Sequence, residues 1–448
     1  MSKYLFEEFD PVSSKLWKQK IQADLKGVDY QTLIWKSNEG IDVKPFYHAD
    51  EYAEDDFMAV PGLPASWSVC QSVFVDDVGI ASQLAEDAVR RGAESILFVA
   101  EKPFPVEKLV ENLDCTCYFE LGFLDIDFYQ KLVGFFSKKN HPFYVINDII
   151  THLAQDGNWY ENLEKDFDTI ARLHPTHPLS IDISLYLNAG ATGVQQLAYA
   201  LSHAAEYFNR LKTGAQTQVI FKVAVGGNYF FEIAKLRALR ILFATLAEEF
   251  GINPLCHILA LPAKRNKTLY DYNVNMLRTT TECMSAALGG ADTVCNLAYD
   301  AVYHKSNEFG ERISRNQLLL LKNESYLEEI SHAADGAYYI ETLTRQMAEK
   351  ALELFKELEK SGGFLQQLKK GIIQKKIKTN ADKEQKQYDA GEKVLIGSNK
   401  YPNPVDGMKD ALELYPFVKT KPRKTLIEPV IERRISEKAE QERLGKEG

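Results

Sequence analysis

Residues 65–73, ASWSVCQSV, alternate strictly between two kinds of side chain. Ser66, Ser68, Cys70 and Ser72 fall on one face of an extended segment, and Trp67, Val69, Gln71 and Val73 on the other. The second face suits a helix-covered core. The first does not, because burying a row of unpaired hydroxyls costs free energy. The same pattern returns further on. Ser180, Asp182, Ser184 and Tyr186 alternate with Leu179, Ile181, Ile183, Leu185 and Leu187.

Eight runs of strand character follow one another from residue 67: 67–75, 95–100, 115–121, 142–147, 180–187, 218–225, 256–261 and 293–298. Amphipathic helical stretches separate them. VGIASQLAEDAVRRG (78–92) stops at a glycine, and FFEIAKLRALRILFATLAEEFG (230–251) carries a broad apolar stripe. ERISRNQLLLLKNES (311–325) is helical after the last strand. Eight strands, each followed by a helix, predict a (β/α)8 TIM barrel, with an open doubly wound sheet as the alternative. In a barrel the aliphatic faces meet the helices, so the polar faces turn inward. Ser68, Ser72, Asp182 and Ser184 are then barrel-lining candidates. They leave room for water or for a ligand along the axis. A packed, hydrogen-bonded polar interior without a ligand stays open as the other reading.

Residues 1–55 read as an arm ahead of the barrel (56–330). Ser13 and Ser14 follow Asp10-Pro11 and can cap a helix from about Lys15 to Lys26, stopped by Gly27. A hairpin is expected around Asn38-Glu39-Gly40. So short a segment cannot bury its own aromatic residues. Tyr4, Phe6, Phe9 and Trp17 are therefore partner-interface candidates. The C-terminal extension (331–448) opens with a long helix over 338–363, ended by Gly362-Gly363, and a second helix is expected from Phe364. It closes with EPVIERRISEKAEQERLGKEG, which reads as a solvated charge run in a linker.

Composition narrows the function. The chain has 448 residues and a net charge of −10, which argues against non-specific nucleic-acid binding. No stretch approaches the roughly 18 apolar residues of a membrane span. The six cysteines form no C-x-x-C pair, which argues against a zinc or redox motif and suits a cytoplasmic setting. Other sites are weak. Cys256 and His257 are adjacent on a strand and face opposite sides. His174 and His177 have no third metal ligand nearby. VGGN (225–228) reads as a tight βα turn, with backbone approach to a phosphate as the lesser reading.

Several segments, in order and at matching spacing, resemble the acyl-CoA mutases that use adenosylcobalamin. They are LKG with EGIDVKPFYHADEY, WSVCQ, FFEIAKLRALRILFA, RTTTECMSAALGGADTV (278–294), ERISRNQLLLLKNES and DGAYYIETLT (335–344). The resemblance runs from about residue 5 to 380. Within the family it is with the small, non-catalytic subunits of methylmalonyl-CoA mutases. It implies a barrel threaded by its ligand, and a radical rearrangement that interconverts (R)-methylmalonyl-CoA and succinyl-CoA.

The pattern is broken where the chemistry sits. Active members carry Tyr-His before an Ala-Gly-Ala at the end of the fifth strand, and this chain has Ser184-Leu185 there. On the first strand active members carry an arginine that helps hold the CoA ester and a tyrosine that helps drive cobalt–carbon cleavage. Here Cys70 and Ser72 replace them. The loop that clasps CoA is reduced to PGLPA (61–65). The Asp-x-His-x-x-Gly signature of the cobalamin domain is missing, so that domain is expected to be absent from this chain. The resemblance therefore implies no catalytic, cofactor-binding or metal residues here. It implies a 1:1 heterodimer with a large, catalytic mutase subunit that carries the adenosylcobalamin. A catalytic barrel working with a separate cobalamin-binding protein is the alternative. A (β/α)8 enzyme of another kind would need an acid, base or metal-ligand cluster at the strand C-termini, which is not evident.

Overall fold

The computed structural model describes residues 8–52, 59–139, 141–174, 177–419 and 422–447. Tyr4, Phe6 and the expected arm–barrel boundary at 55/56 lie outside the described residues. Eight strands form one sheet: β1 Ser68–Phe74, β2 Ser95–Ala100, β3 Thr116–Leu121, β4 Phe143–Ile146, β5 Leu179–Asp182, β6 Val219–Val225, β7 Cys256–Pro262 and β8 Thr293–Cys295. Their order is β4-β3-β2-β1-β8-β7-β6-β5, and every neighbouring pair is parallel. Helices follow the strands and cover the sheet's outer face. The arrangement is a TIM-barrel-like α/β fold with an N-terminal arm and a C-terminal helical extension.

The ring is not closed by backbone bonds. β4 and β5, at the two ends of the strand order, are joined through side chains. The Asn147 N–H donates to Ser180 Oγ at 2.8 Å. The Asp182 N–H donates to Asp148 Oδ2 at 3.1 Å, and Thr151 Oγ1 donates to the Asp182 carbonyl at 2.6 Å. These bonds satisfy edge groups that a ladder would otherwise pair.

The fifth strand is shorter than its alternation implies. It ends at Asp182, and a helix spans Ser184–Ala189. Asp182 Oδ1 accepts both the Ser184 N–H, at 2.9 Å, and the Ser184 hydroxyl, at 2.6 Å. This local bond turns the chain out of the extended conformation. Ser184 therefore does not line the barrel as a strand residue, which corrects the expectation for that position. Gly190, at φ 102°, ends the helix.

In the arm, a helix covers Ser14–Asp24 with Ser13 as its cap, and Trp35–Lys36 pairs antiparallel with Asp42–Val43. The long helix of the extension runs Tyr338–Lys360. Two more follow, Phe364–Lys369 and Ile372–Asp389, divided by Gly371 at φ 74°.

The final charge run is not a solvated linker. Val430, Ile435, Ser436, Glu437 and Glu440 are buried. The carboxylates find partners there: Glu440 Oε1 accepts from Ser436 Oγ at 2.7 Å and from the Leu269 N–H at 2.8 Å, and Arg434 pairs with Glu440. The backbone is also tied down. Arg433 N–H donates to the Asn188 carbonyl, Ile435 N–H to that of Arg265, and Leu414 N–H to that of Tyr303. The tail thus lies across the helix Ser184–Ala189 after β5 and the loops that follow β7 and β8. Among the described residues, no helix is long and apolar enough to cross a membrane.

Candidate functional site at the barrel mouth

The inward face of the sheet is built in layers. Cys70, Leu97, Tyr118, Ile146, Ile220, Leu259 and Cys295 pack together as an apolar cluster. Val69, Phe221 and Ile258, their strand neighbours, belong instead to the core beneath the helices, as does Ile181 on β5. Alternation then places Ser68 and Ser72 on the inward face with Cys70, and Lys222 with Ile220. The middle of the barrel is therefore packed with aliphatic, aromatic and thiol groups, not polar and hydrated as the first strand suggested. Cys70 is 2% exposed.

Below this cluster, toward the strand N-termini, lies a hydrogen-bonded layer. Ser68 Oγ is 3.1 Å from Ser95 Oγ. The Tyr118 hydroxyl lies 2.7 Å from Thr293 Oγ1 and 2.8 Å from His257 Nε2. Tyr144 stacks on Tyr118 and on His257. Burial holds the His257 imidazole below its ordinary value, against the pull of Asp292. Cys256, its neighbour, faces the outer core, and burial pushes its thiol up to about 12.

At the mouth, where barrel sites sit, Lys222 stands between two carboxylates. Its ammonium is 2.7 Å from Glu120 Oε1 and 3.0 Å from Asp182 Oδ2. Burial disfavours the charged amine, but Asp182 and Glu120 outweigh it and raise its pKa above the usual lysine range. An amine so held keeps its proton and offers no lone pair for attack. The Ser184 hydroxyl donates back to Asp182, and Leu185 is 2% exposed within the core.

Beside this layer, Asp148 gathers the seam. It accepts from Tyr207 at 2.6 Å, and its other oxygen lies 2.8 Å from His203 Nδ1, whose Nε2 is 2.7 Å from the Tyr186 hydroxyl. Burial alone would raise the Asp148 carboxyl. His203 and the hydrogen-bond donors overcome that and hold it below 3.8. The network is fully enclosed, so it fixes positions and does not meet a substrate.

Sequence reading missed Lys222, Glu120, Asp148 and His203. One signal was available for the first: QVIFKVAV places a lysine at an inward position of an aliphatic strand. Of the other candidates, His174 Nε2 is 3.3 Å from Thr217 Oγ1. Among the described residues, no group of three or more His, Cys, Asp or Glu side chains is placed to hold a metal. On the arm, the helix Ser14–Asp24 buries none of its residues. Phe9 is 66% and Trp17 51% exposed, with Trp17 tilted against Phe46.

A family model described as methylmalonyl-CoA mutase matches residues 143–444. A methylmalonyl-CoA mutase small subunit of Porphyromonas gingivalis is 32% identical over 453 residues, which cover 92% of this chain and 73% of that protein. The large subunit from the same organism is 33% identical over 250 residues, covering 52% of this chain and 34% of its own. A small subunit of Propionibacterium freudenreichii subsp. shermanii is 35% identical over 218 residues, 46% of this chain and 33% of that protein. The chain thus spans about a third of the length of the latter two.

Proposed function

The chain belongs to the methylmalonyl-CoA mutase family, and on that premise we propose that it is the non-catalytic small subunit of a heterodimeric mutase. A large subunit is its 1:1 partner, binds the adenosylcobalamin and performs the interconversion of (R)-methylmalonyl-CoA and succinyl-CoA. The complex works in the cytoplasm. The observation that carries the reading is the state of the axial positions. Cys70 is sealed in the barrel cluster, Leu185 points into the core, and Lys222 is locked between Asp182 and Glu120.

Family membership implies adenosylcobalamin use by the complex, but the residues of this chain do not fit that group. The mouth over β5, β7 and β8 is bound by the chain's own tail through Asn188, Arg265 and Tyr303. No reaction step is assigned to this chain. The arm supplies contact area in the proposed complex. Its helix leaves Leu16 and Trp17 more than half exposed, and exposed apolar patches of that kind mark interfaces.

The test is turnover. The pure chain, given adenosylcobalamin and methylmalonyl-CoA, is expected to form no succinyl-CoA. Co-expressed with a large subunit, it is expected to co-purify at equal stoichiometry. Succinyl-CoA formed by the chain alone overturns the reading.

A further inference from the structure

We propose that a cavity between the arm and the loops after β6 and β7 binds a neutral, polyhydroxylated ring, a sugar of mono- or disaccharide size. The cavity measures about 640 Å³, within the range of small-molecule sites. Its walls include the arm hairpin with Trp35 and Asn38, the loop Gly226–Asn228, Asn266 after β7 and Asn380 on the helix Ile372–Asp389, together with the turn 191–193 and the segment 392–395.

Charge argues for a neutral occupant. Lys36, Arg265 and Lys393 share the wall with Glu39, Glu232, Glu384 and Glu392. Lys235 lies behind it, 2.5 Å from Glu232 Oε2. Arg265 and Lys393 both pair with Glu384, at 2.7 and 2.5 Å. Glu39 is held by the Gly193 and Val194 N–H groups, each at 2.8 Å, so with Lys235 counted the charges around the cavity balance in number and favour neither an anion nor a cation.

What the wall still offers is hydrogen bonding. Asn228 stands at the N-cap of the helix Tyr229–Phe250 but makes no side-chain cap bond. Asn380 donates to the Gly190 carbonyl at 2.6 Å, which leaves its oxygen for an incoming donor. Glu232 turns Oε1 toward Gly226, where an added Cβ would stand 3.3 Å from it. A Cβ on Gly227 would stand 3.3 Å from Asn266 Nδ2, so the two glycines let polar groups close on this loop. A hydroxyl both donates and accepts, so amides set beside a carboxylate suit vicinal hydroxyls better than any single-sign group. Trp35, 50% exposed and packed edge-on to Phe231, adds an apolar ring with a polar N–H. A sugar's C–H face can lie against it.

The inference is independent of the subunit assignment and is tested by saturation-transfer NMR on the full chain. Glucose, maltose and trehalose are the probes, with inorganic phosphate and spermidine as charged counter-probes. Transfer to at least one sugar is expected, with affinity falling about tenfold in Asn228→Ala and in Trp35→Ala. Both positions are exposed, so thermal melts of the variants should match the parent. Three results overturn the proposal: transfer to none of the sugars, undiminished affinity in both variants, or tighter binding of phosphate or spermidine that the same substitutions abolish.

Discussion

Lys222 carries a charge into the barrel because Glu120 and Asp182 meet it there. Breaking such a buried set by removing one member leaves uncompensated charge. Lys222→Met is therefore expected to cost about 3 kcal/mol in urea unfolding at pH 7. Adding Asp182→Asn should recover part of the loss, since one of the two stranded carboxylates is then neutral. His257 makes the opposite kind of prediction. Burial lowers its folded pKa below the ordinary 6.5, so the unfolded chain binds the extra proton first. Its contribution is present above that value and is lost as pH falls through the folded one. An NMR titration should show His257 protonating at lower pH than a freely solvated histidine. His257→Gln should flatten the stability profile below pH 6.5. An unshifted midpoint refutes this. Both residues show how far the chain could be read. The inward face of β1 was legible because alternation is a backbone property. The partners that make Lys222 tolerable come from β3 and β5, and no local pattern announces them.

At the scale of elements, the eight strands and their helices were legible from period and punctuation, but two of their ends were not. Asp182 supplies a side-chain acceptor that turns the chain, and the helix behind it, Ser184–Ala189, is buried at Leu185, Tyr186, Leu187, Asn188 and Ala189. A helix buried all round shows no amphipathic period, so the serine–leucine alternation passed for more strand. The charge run of the tail misled for a related reason. Charged composition reads as solvated unless the buried partners, here Arg434 and the Leu269 N–H, are known. The seam between β4 and β5 depends on Asp148. Asp148→Asn is expected to cost about 3 kcal/mol and to speed amide exchange at Asp182, whose N–H it accepts. Because the folded carboxyl lies below 3.8, its stabilisation is present above that value and is lost as pH falls through the folded pKa. The variant should therefore unfold less steeply with acid than the parent.

For the whole molecule, the proposed partner and the tail pull on different surfaces. Deleting residues 1–29, which stops short of the buried Tyr30, should leave the barrel folded, since the helix Ser14–Asp24 buries nothing, but should weaken binding to a large subunit. Trp17→Ala should remove about 2 kcal/mol of that affinity, read by calorimetric titration of the two subunits. Unchanged affinity would remove the arm from the interface. Glu440→Ala acts at the other end. It removes the carboxylate partner of Arg434 and leaves the Leu269 amide without its acceptor, and should lower the midpoint of thermal unfolding with no loss of helix content at room temperature. The seam has one more consequence. A sheet closed by a full ladder offers no free edge, but this one has two, facing each other and held by Asp148, Ser180 and Thr151. When acid neutralises Asp148, each edge becomes a template for a strand of another copy. Acid-treated protein should then gather into β-rich oligomers, growing with concentration, before it loses its helices.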